Sequence, residues 1–306
     1  MDDSCLLTVV VPVYNGLPYL AETIDSLLSQ TCQCFCVYVV NDGSVDGSGE
    51  YLNSITDPRV RVFHQENNGL CQTLNDAMAS VETEYIARLD QDDIALPHRL
   101  QVQLEFLQNN PEFDAVLGNI NRISGDGYEF GSHLDFDSEF VRYSSLEHGS
   151  VVHSTLMMRR CVFHKIGGYR ESYYPVDDFD MLMRMEELFR VAILSEVIVK
   201  YRIHGGAGSF STVGAMDWKT RWAQTNSKLR KCGKPEMPQD IFVAQDNSRP
   251  WLERAIELKG MYGRLLFRIA GLKIGNREKI AGFCCLAFSI LLAPKYSLSR
   301  LKRMLR

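Results

Sequence analysis

The most constraining feature of this sequence is an alternation of apolar, strand-like runs with helix-period stretches over its first two-thirds. The run from Leu6 to Val13 is continuous and rich in β-branched residues, which is typical of a strand covered on both faces. The rhythm continues through four further strand-like runs: Cys36–Val40, Arg59–His64, Tyr85–Leu89 and Ala115–Ile120. It predicts an α/β fold with an open, mostly parallel, twisted sheet flanked by helices.

The last hundred residues lack this rhythm and predict a mainly helical region. We therefore divide the chain into residues 1–212, which carry the sheet, and a helical extension, residues 213–306. The extension contains an apolar run, Ile280–Pro294, that is shorter than the roughly 18 to 20 residues needed to span a bilayer. Only basic charges follow it: Lys295, Arg300, Lys302, Arg303 and Arg306. This pattern fits an interfacial helix on anionic lipid, and it fits a helix packed on the rest of the protein equally well.

Charge and cysteine content narrow the class of protein. The formal net charge is -5, whereas a nucleic-acid-binding domain is normally basic, so no nucleic-acid partner is expected. The nine cysteines are irregularly spaced and odd in number, which favours free thiols in a reducing compartment. Asp2 and Asp3 stand where a signal peptide needs basic residues. Together these features predict a cytoplasmic protein.

Polar clusters follow several of the predicted strands at the point where each one ends. Tyr14 and Asn15 follow the first strand, Asp42 follows the second, and the acidic run 90–93 follows the fourth. Ser44 is positioned to cap the helix after the second strand. Ligands of open α/β sheets bind at the carboxyl ends of the strands, so these residues predict a binding site at one edge of the sheet.

The segment Asp90-Gln91-Asp92 is the most informative of these clusters. Two carboxylates separated by one residue can converge on a hard divalent cation, and Mg²⁺ or Mn²⁺ bound in this way keeps coordination positions open for phosphate oxygens. A solvated acidic turn is the alternative for an isolated pattern of this kind. The position directly after a buried strand favours the metal-binding interpretation.

A second acidic pair, Asp177-Asp178, stands at the start of a predicted helix. It can cap that helix, or one of its members can act as a general base. His153 and His204 are further candidates, and His204 is the stronger one because it follows a strand and leads into the glycine-rich loop 205–208, where it can reach a metal or a pyrophosphate. Arg88 either neutralises the acidic run or contacts a nucleotide.

The order and spacing of these motifs resemble glycosyltransferase family 2, whose members are inverting enzymes with the GT-A fold. The matching segments are Val9–Asn15, Val40–Asp46, Glu66–Leu70 with Leu74-Asn75, Tyr85–Ile94 with Pro97–Leu100, His153, Ile166–Tyr169, Asp177–Arg184 and Tyr201–His204. They occur in the family's order across about the first 210 residues. One departure is Asp177, where the family's acidic pair usually begins with Glu, and it leaves the base open between Asp177 and Asp178.

The resemblance implies a role for each candidate residue. It assigns the nucleotide site to nine residues: Pro12, Val13, Tyr14, Asn15, Asp42, Asn68, Arg88, Asp90 and Gln91. It makes Asp92 a ligand of Mn²⁺ or Mg²⁺ and places His204 near the metal or the pyrophosphate. Asp178 becomes the catalytic base, with Asp177 beside it as the second candidate.

The activity implied by the resemblance is transfer of a sugar from a nucleotide-diphosphate sugar, with UDP as the family's usual nucleotide. The acceptor would be a hydroxyl of a glycan or of a lipid-linked glycan in surface polysaccharide or lipopolysaccharide synthesis. The enzyme would work in the cytoplasm, with peripheral contact to the inner face of the membrane through its tail.

Two alternatives use the same acidic residues. A phosphatase of the haloacid dehalogenase type also places two carboxylates after a strand, but on its first core strand, whereas here three predicted strands come before Asp90. A nucleotide-sugar-binding protein without catalysis is the other. Dinucleotide and α/β-hydrolase chemistry are excluded, because the sequence has no G-x-G-x-x-G and no G-x-S-x-G motif.

Overall fold

The computed structural model describes residues 5–132, 138–148, 151–205, 213–275 and 278–304. Arg306 and residues 206–208 of the predicted glycine-rich loop lie outside these ranges. The strands are β1 (Leu7–Val13), β2 (Phe35–Asp42), β3 (Val60–Gln65), β4 (Tyr85–Arg88), β5 (Ile94–Ala95), β6 (Ala115–Ser124), β7 (Glu129–Ser132), β8 (Phe140–Arg142), β9 (Met157–Arg159) and β10 (Val191–Ile203). The helices are α1 (Leu20–Leu28), α2 (Ser48–Asn53), α3 (Leu70–Ala79), α4 (Arg99–Asn109), α5 (Ser145–His148), α6 (Arg160–Ile166), α7 (Asp177–Leu188), α8 (Val213–Lys231), α9 (Gln239–Ser248), α10 (Trp251–Gly275), α11 (Lys279–Leu292) and α12 (Pro294–Met304).

The strands form one mixed sheet in the order β3-β2-β1-β4-β9-β6-β10-β5. The first four strands pair in parallel, and β9 joins β4 in the antiparallel sense. Every residue of β1 is buried, as the unbroken apolar run from Leu7 to Val13 requires. The predicted α/β architecture is therefore confirmed, with β5, β7, β8 and β9 as four short strands that no sequence period indicated.

The register of the parallel strands aligns their carboxyl ends. Leu7 of β1 lies opposite both Phe35 of β2 and Tyr85 of β4. At the other end, Val13 lies opposite Asn41. The loops that follow β1, β2 and β4 consequently leave the sheet at the same edge, where the sequence predicted a binding site.

The predicted cap at Ser44 is wrong. Helix α2 begins at Ser48, and the residue before it, Gly47, has a φ of 92° and no capping side chain. The hydroxyl of Ser44 instead accepts a hydrogen bond from the backbone N–H of Asn15, at 2.9 Å. The turn after β2 is thus used to hold the loop after β1.

The described chain divides into two compact units. The first consists of Met1–Asn121, Phe136–Ser172 and Asp177–Tyr201, and the second of Arg122–Asp135, Tyr173–Val176 and Arg202–Arg306. Because the second unit draws on segments from both sides of residue 212, the division at that residue stays a prediction.

The second unit is mainly helical. Trp222 of α8 stacks on Tyr173, with ring centroids 4.1 Å apart, and Asn226 donates to the Tyr173 hydroxyl at 2.7 Å. Helices α10 and α11 pack against each other as a hairpin. Within the described ranges, none of the helices combines the length and the apolar character needed to cross a bilayer.

Candidate active site

The loop after β1 is held by hydrogen bonds to the loop after β2. Pro12 and Val13 are buried at the end of the strand, whereas the Tyr14 side chain is 49% exposed. Asn15 has a φ of 51°, a left-handed conformation that asparagine adopts more readily than most residues. Its side-chain oxygen accepts from the N–H of Val45 at 2.8 Å, which ties this loop to the one after β2.

Gln91 joins the loops after β1 and β4. Its Oε1 accepts from the Tyr14 N–H at 2.8 Å, and its Nε2 donates to the Tyr14 carbonyl at 3.0 Å, so one amide side chain pairs with both polar groups of one backbone residue. A Cβ at Gly16 would lie 2.9 Å from Gln91 Oε1, which explains why glycine stands there. Gln91 therefore sets the spacing of the two loops, and its predicted contact with a nucleotide stays a prediction.

Asp42 organises the loop after β3. Its side chain is only 3% exposed, and its carboxylate accepts hydrogen bonds from Gln65 Nε2 and from the backbone N–H groups of Asn68 and Gly69, at 2.7 to 3.0 Å. The Asn68 side chain is exposed at this turn. Asp42 thus fixes the position of the Asn68 backbone. The nucleotide-binding roles of both residues stay predictions.

Asp90 is held by two partners. Arg88 Nη2 donates to one carboxylate oxygen at 2.6 Å, and the Ser154 hydroxyl donates to the other at 2.8 Å. Ser154 also accepts from the Asp90 backbone N–H at 3.2 Å. With both oxygens engaged, Asp90 keeps a fixed orientation at the carboxyl end of β4.

Arg88 lies in a buried aromatic and acidic environment. Its guanidinium carbon is 5.9 Å from the centre of the Tyr169 ring, and the Tyr169 hydroxyl is 2.8 Å from His153 Nε2. Burial opposes its charge, but the nearby carboxylates of Asp90, Asp177 and Asp178 more than compensate, so the pKa of Arg88 is raised. The guanidinium is thus a permanent positive charge beneath the acidic residues.

His153 is a structural member of this cluster. Burial, followed by the charge of Arg88, lowers the pKa of His153 well below its usual range. The imidazole is therefore neutral near pH 7 and is oriented by its hydrogen bond to Tyr169.

The acidic pair at the start of α7 faces the same cluster, and its two members differ in environment. Asp177 is buried, and burial raises its pKa; the Cys71 thiol is hydrogen-bonded to it. Asp178 is partly exposed. Burial, and next the charge of Asp177, raises the pKa of Asp178 to about 7. Asp178 is the member of the pair that combines access with a pKa near neutrality.

Helix α7 is anchored so that its first turn keeps its position. Asp180 is fully buried and accepts from Arg184 Nε at 3.0 Å, and it also forms an ion pair with Arg170. Arg184 donates in addition to the Gly168 carbonyl at 2.7 Å. This ion-pair network explains the spacing of the segment Asp177–Arg184 and fixes the direction in which the acidic pair points.

The two predicted metal ligands occupy different parts of the protein. Asp92 is partly exposed in the turn after β4, in the first unit, and His204 follows β10 in the second unit. Across the ranges that the structure covers, no three His, Cys, Asp or Glu side chains are arranged to hold a metal ion. The metal-binding roles of Asp92 and His204 stay predictions.

Three functional contacts were not foreseen from the sequence: those of Ser154, Tyr169 and Cys71. Asn75 supports Tyr169 by donating to its carbonyl at 2.9 Å and accepting from its N–H at 2.7 Å. Asn75 and Tyr169 lie in the motif segments that carry the family resemblance, and this signal could have identified them. Ser154 and Cys71 each follow directly after a motif segment without belonging to it, so no such signal identified them.

Comparison with known protein families gives a match over the first half of the chain. The model of a protein family described as "Glycosyl transferase family 2" matches residues 8–167, which span β1 through α6 and most of the residues described above. The matched stretch covers more than half of the chain.

The curated relatives include both uncharacterised and named enzymes. An uncharacterised glycosyltransferase of Rickettsia typhi is 27% identical over 92% of this chain and 88% of its own length. The hyaluronan synthase and the chondroitin synthase of Pasteurella multocida are 26% and 25% identical over 81% of this chain. The chain spans about a quarter of the length of these two synthases.

Solved structures share the fold. TarS of Staphylococcus aureus, residues 1–349 in complex with UDP-GlcNAc, superposes with a TM-score of 0.58 over 93% of this chain and 91% of that chain, at 16% identity. The complex of the same TarS segment with UDP gives a TM-score of 0.55.

Proposed function

This chain belongs to glycosyl transferase family 2. We propose that it is an inverting enzyme that transfers the sugar of a UDP-sugar to a hydroxyl group of a glycan acceptor. That it is a glycosyltransferase with the GT-A fold follows from the family and from the structural likeness. The inverting mechanism, the nucleotide, the metal and the acceptor are our proposal. Because the chain belongs to this family, the alternative of a haloacid-dehalogenase-type phosphatase is excluded.

The observation that carries the mechanism is the environment of Asp178. This side chain is partly exposed at the start of α7, close enough to Arg88 and Asp90 for their charges to affect it, and its pKa is raised to about 7. A general base works best when its pKa lies near the working pH. Asp177 is more buried and is hydrogen-bonded to Cys71, so we assign the base to Asp178 and a supporting role to Asp177.

In the proposed reaction, Asp178 accepts the proton of an acceptor hydroxyl. The resulting oxygen nucleophile forms a bond to the anomeric carbon while the bond from that carbon to the diphosphate breaks, and the electron pair leaves with UDP. Attack from the side opposite the leaving group inverts the anomeric configuration. The negative charge of Asp177 favours the step, because it raises the proton affinity of Asp178.

The nucleotide is proposed to lie over the loops after β1, β2 and β4. Tyr14 offers an exposed aromatic ring in the loop after β1, and Asn68 offers an exposed side chain in the loop after β3. Gln91 joins the loops after β1 and β4, and Arg88 orients Asp90. Asp90 thus presents a fixed carboxylate for a ribose hydroxyl. The TarS complexes with UDP and UDP-GlcNAc support this choice of nucleotide.

The residues after β4 fit a divalent cation in part. Both oxygens of Asp90 are engaged by Arg88 and Ser154. Asp92 is a partly exposed carboxylate in the turn after β4, and carboxylate oxygens suit a hard cation. When bound, Mg²⁺ or Mn²⁺ would neutralise charge on the leaving diphosphate. We propose Asp92 as its ligand, and His204 remains a candidate.

The acceptor is proposed to be a surface glycan or its lipid-linked precursor. The relatives named hyaluronan synthase and chondroitin synthase support a glycan acceptor in general, although this chain matches only part of each. We place the reaction at the cytoplasmic face of the membrane, because lipid-linked precursors present their sugars at a membrane surface.

Release of UDP from a panel of UDP-sugars, with and without glycan acceptors, tests the proposal. We expect one donor to be turned over and Asp178→Asn to reduce turnover by a factor of about 100 or more, because the amide cannot take the proton. Asp76→Asn, on the exposed face of α3, is the matched control and should turn over normally. Normal turnover by Asp178→Asn would move the base to Asp177, and donor binding without any turnover would favour a binding protein.

A further inference from the structure

Helix α11 presents bulky apolar side chains to the outside. After Lys279, its exposed residues recur at the spacing of a single helix face, and none of them is charged: Ile280, Phe283, Cys284, Ala287, Phe288 and Leu291. Ile280 is 84% exposed and Leu291 69% exposed. We refer to these six residues as the outer stripe of α11. An ordinary surface helix turns such a stripe toward the core.

The two buried residues of α11, Gly282 and Ser289, are small instead. The Ser289 hydroxyl is buried and hydrogen-bonded at 2.7 Å both to the Gly263 carbonyl of α10 and to the hydroxyl of Ser297. A Cβ at Gly263 would lie 2.9 Å from the backbone nitrogen of Ala293. Small residues that allow close helix contact, with large apolar residues on the outside, are typical of helices packed in lipid.

The residues directly before and after the apolar stretch 280–294 are both lysines. Residues 280–294 include no charged side chain, and exposed lysines, Lys279 and Lys295, stand at the two ends of α11. The acid next to Lys279 is Glu278, which is paired with Lys273 at 2.7 Å. The sequence after Lys295 adds only basic charges. Long basic side chains at the ends of an apolar surface suit the headgroup region of an anionic bilayer.

We propose that the outer stripe of α11 docks on an anionic lipid membrane, with the helix lying in the plane of the interface. A helix of 14 residues rises about 21 Å, less than the roughly 30 Å of the hydrocarbon core, so it fits along the surface rather than across it. Phe283 and Phe288 enter the boundary of the acyl chains, while Lys279 and Lys295 pair with lipid phosphates. This docking is independent of the proposed sugar transfer.

A second copy of the chain is a poorer occupant of this surface. The outer stripe is about 21 Å long and about 10 Å wide, which offers roughly 200 Å² to a partner. Stable protein interfaces bury about 800 Å² from each partner. A lipid surface has no such minimum, because binding grows with apolar area and with the number of basic charges.

Flotation of the full-length protein with vesicles tests the docking. We expect it to float with equimolar phosphatidylcholine and phosphatidylglycerol and to bind more weakly to phosphatidylcholine alone or in high salt. Phe283→Glu combined with Phe288→Glu should reduce binding about 100-fold or more, since two large apolar contacts are replaced by charges. Lys279→Gln and Lys295→Gln should each reduce binding to the anionic vesicles roughly fivefold.

Leu188→Glu is the matched control, because Leu188 on the first unit is 60% exposed, as is Phe288. It should float like the wild type, and all variants should keep the wild-type melting temperature. The proposal is overturned if the wild type does not float with anionic vesicles or if Leu188→Glu loses binding equally. A lipid-free dimer that light scattering detects in the wild type but not in the phenylalanine variant would also overturn it, by assigning the stripe to a second copy.

Discussion

Replacing the proposed base should make this protein more stable while removing its activity. The change is Asp178→Asn, which keeps an oxygen to accept the Phe179 N–H, a contact of 2.6 Å in the wild type. It removes a carboxylate whose ionisation the fold opposes. Because burial and Asp177 raise the pKa of Asp178 from 3.8 to about 7, the folded state binds its proton more tightly than the unfolded state does.

The pKa values set the size and the pH dependence of the effect. Each pH unit between 3.8 and about 7 is worth about 1.4 kcal/mol, so ionised Asp178 lowers the free energy of unfolding by at most about 4 kcal/mol at pH 8. At pH 5 the folded state keeps the proton while the unfolded state has largely lost it, and the limit falls to about 2 kcal/mol. Below about pH 4 both states are protonated and the contribution disappears.

Urea unfolding at pH 5 and pH 8, followed by tryptophan fluorescence, measures this difference. Asp178→Asn should be more stable than the wild type at pH 8, with a gain about twice that at pH 5. Asp180→Asn, two residues further along α7, is the control. It breaks the buried ion pairs with Arg170 and Arg184 and should cost about 3 to 5 kcal/mol at both pH values. A loss of stability in Asp178→Asn, or a gain independent of pH, would refute the reasoning.

Three further predictions follow from the same contacts. The kcat/KM of transfer should fall about fivefold from pH 7 to pH 6 as Asp178 takes up a proton, and initial rates in a mixed buffer measure this. Gln91→Ala should weaken UDP binding about tenfold by calorimetry, whereas Gln91→Glu, which can still accept from Tyr14, should lose less. Gly168→Ala should lower the melting temperature more than Gly127→Ala; both have positive φ, but only at Gly168 does a Cβ meet a side chain, that of Asn75.

The sheet and the edge that carries the site could be predicted because they depend on local signals. The apolar run Leu7–Val13 requires a strand buried on both faces, and the register with β2 and β4 follows from parallel pairing. Tyr14, Asp42 and Asp90 then come to one edge whatever the details of the loops. The sequence order of the strands was sufficient for this inference.

The contacts beneath the site could not be predicted, because they join residues far apart in the chain. Ser154 reaches Asp90 across 64 positions only because β9 pairs with β4 in the antiparallel sense. The sequence predicts nucleotide binding for Asp42, which stays a prediction, but it gave no sign that the Asp42 carboxylate holds the loop at Asn68. A polar residue at a strand end can serve a ligand or a neighbouring loop, and only its partners distinguish the two uses.

Nucleotide binding tests the central claim most directly. Thermal melting of the protein should be followed with UDP, GDP, CDP and dTDP, each in Mn²⁺, Mg²⁺ or a chelator, because a ligand that binds only the folded state raises its stability. We predict a shift with UDP that depends on the metal and is lost in Asp92→Ala, but is kept in Asp178→Asn. Folded protein that shows no shift with any of the four nucleotides would contradict the assignment of this site to a nucleotide-sugar donor.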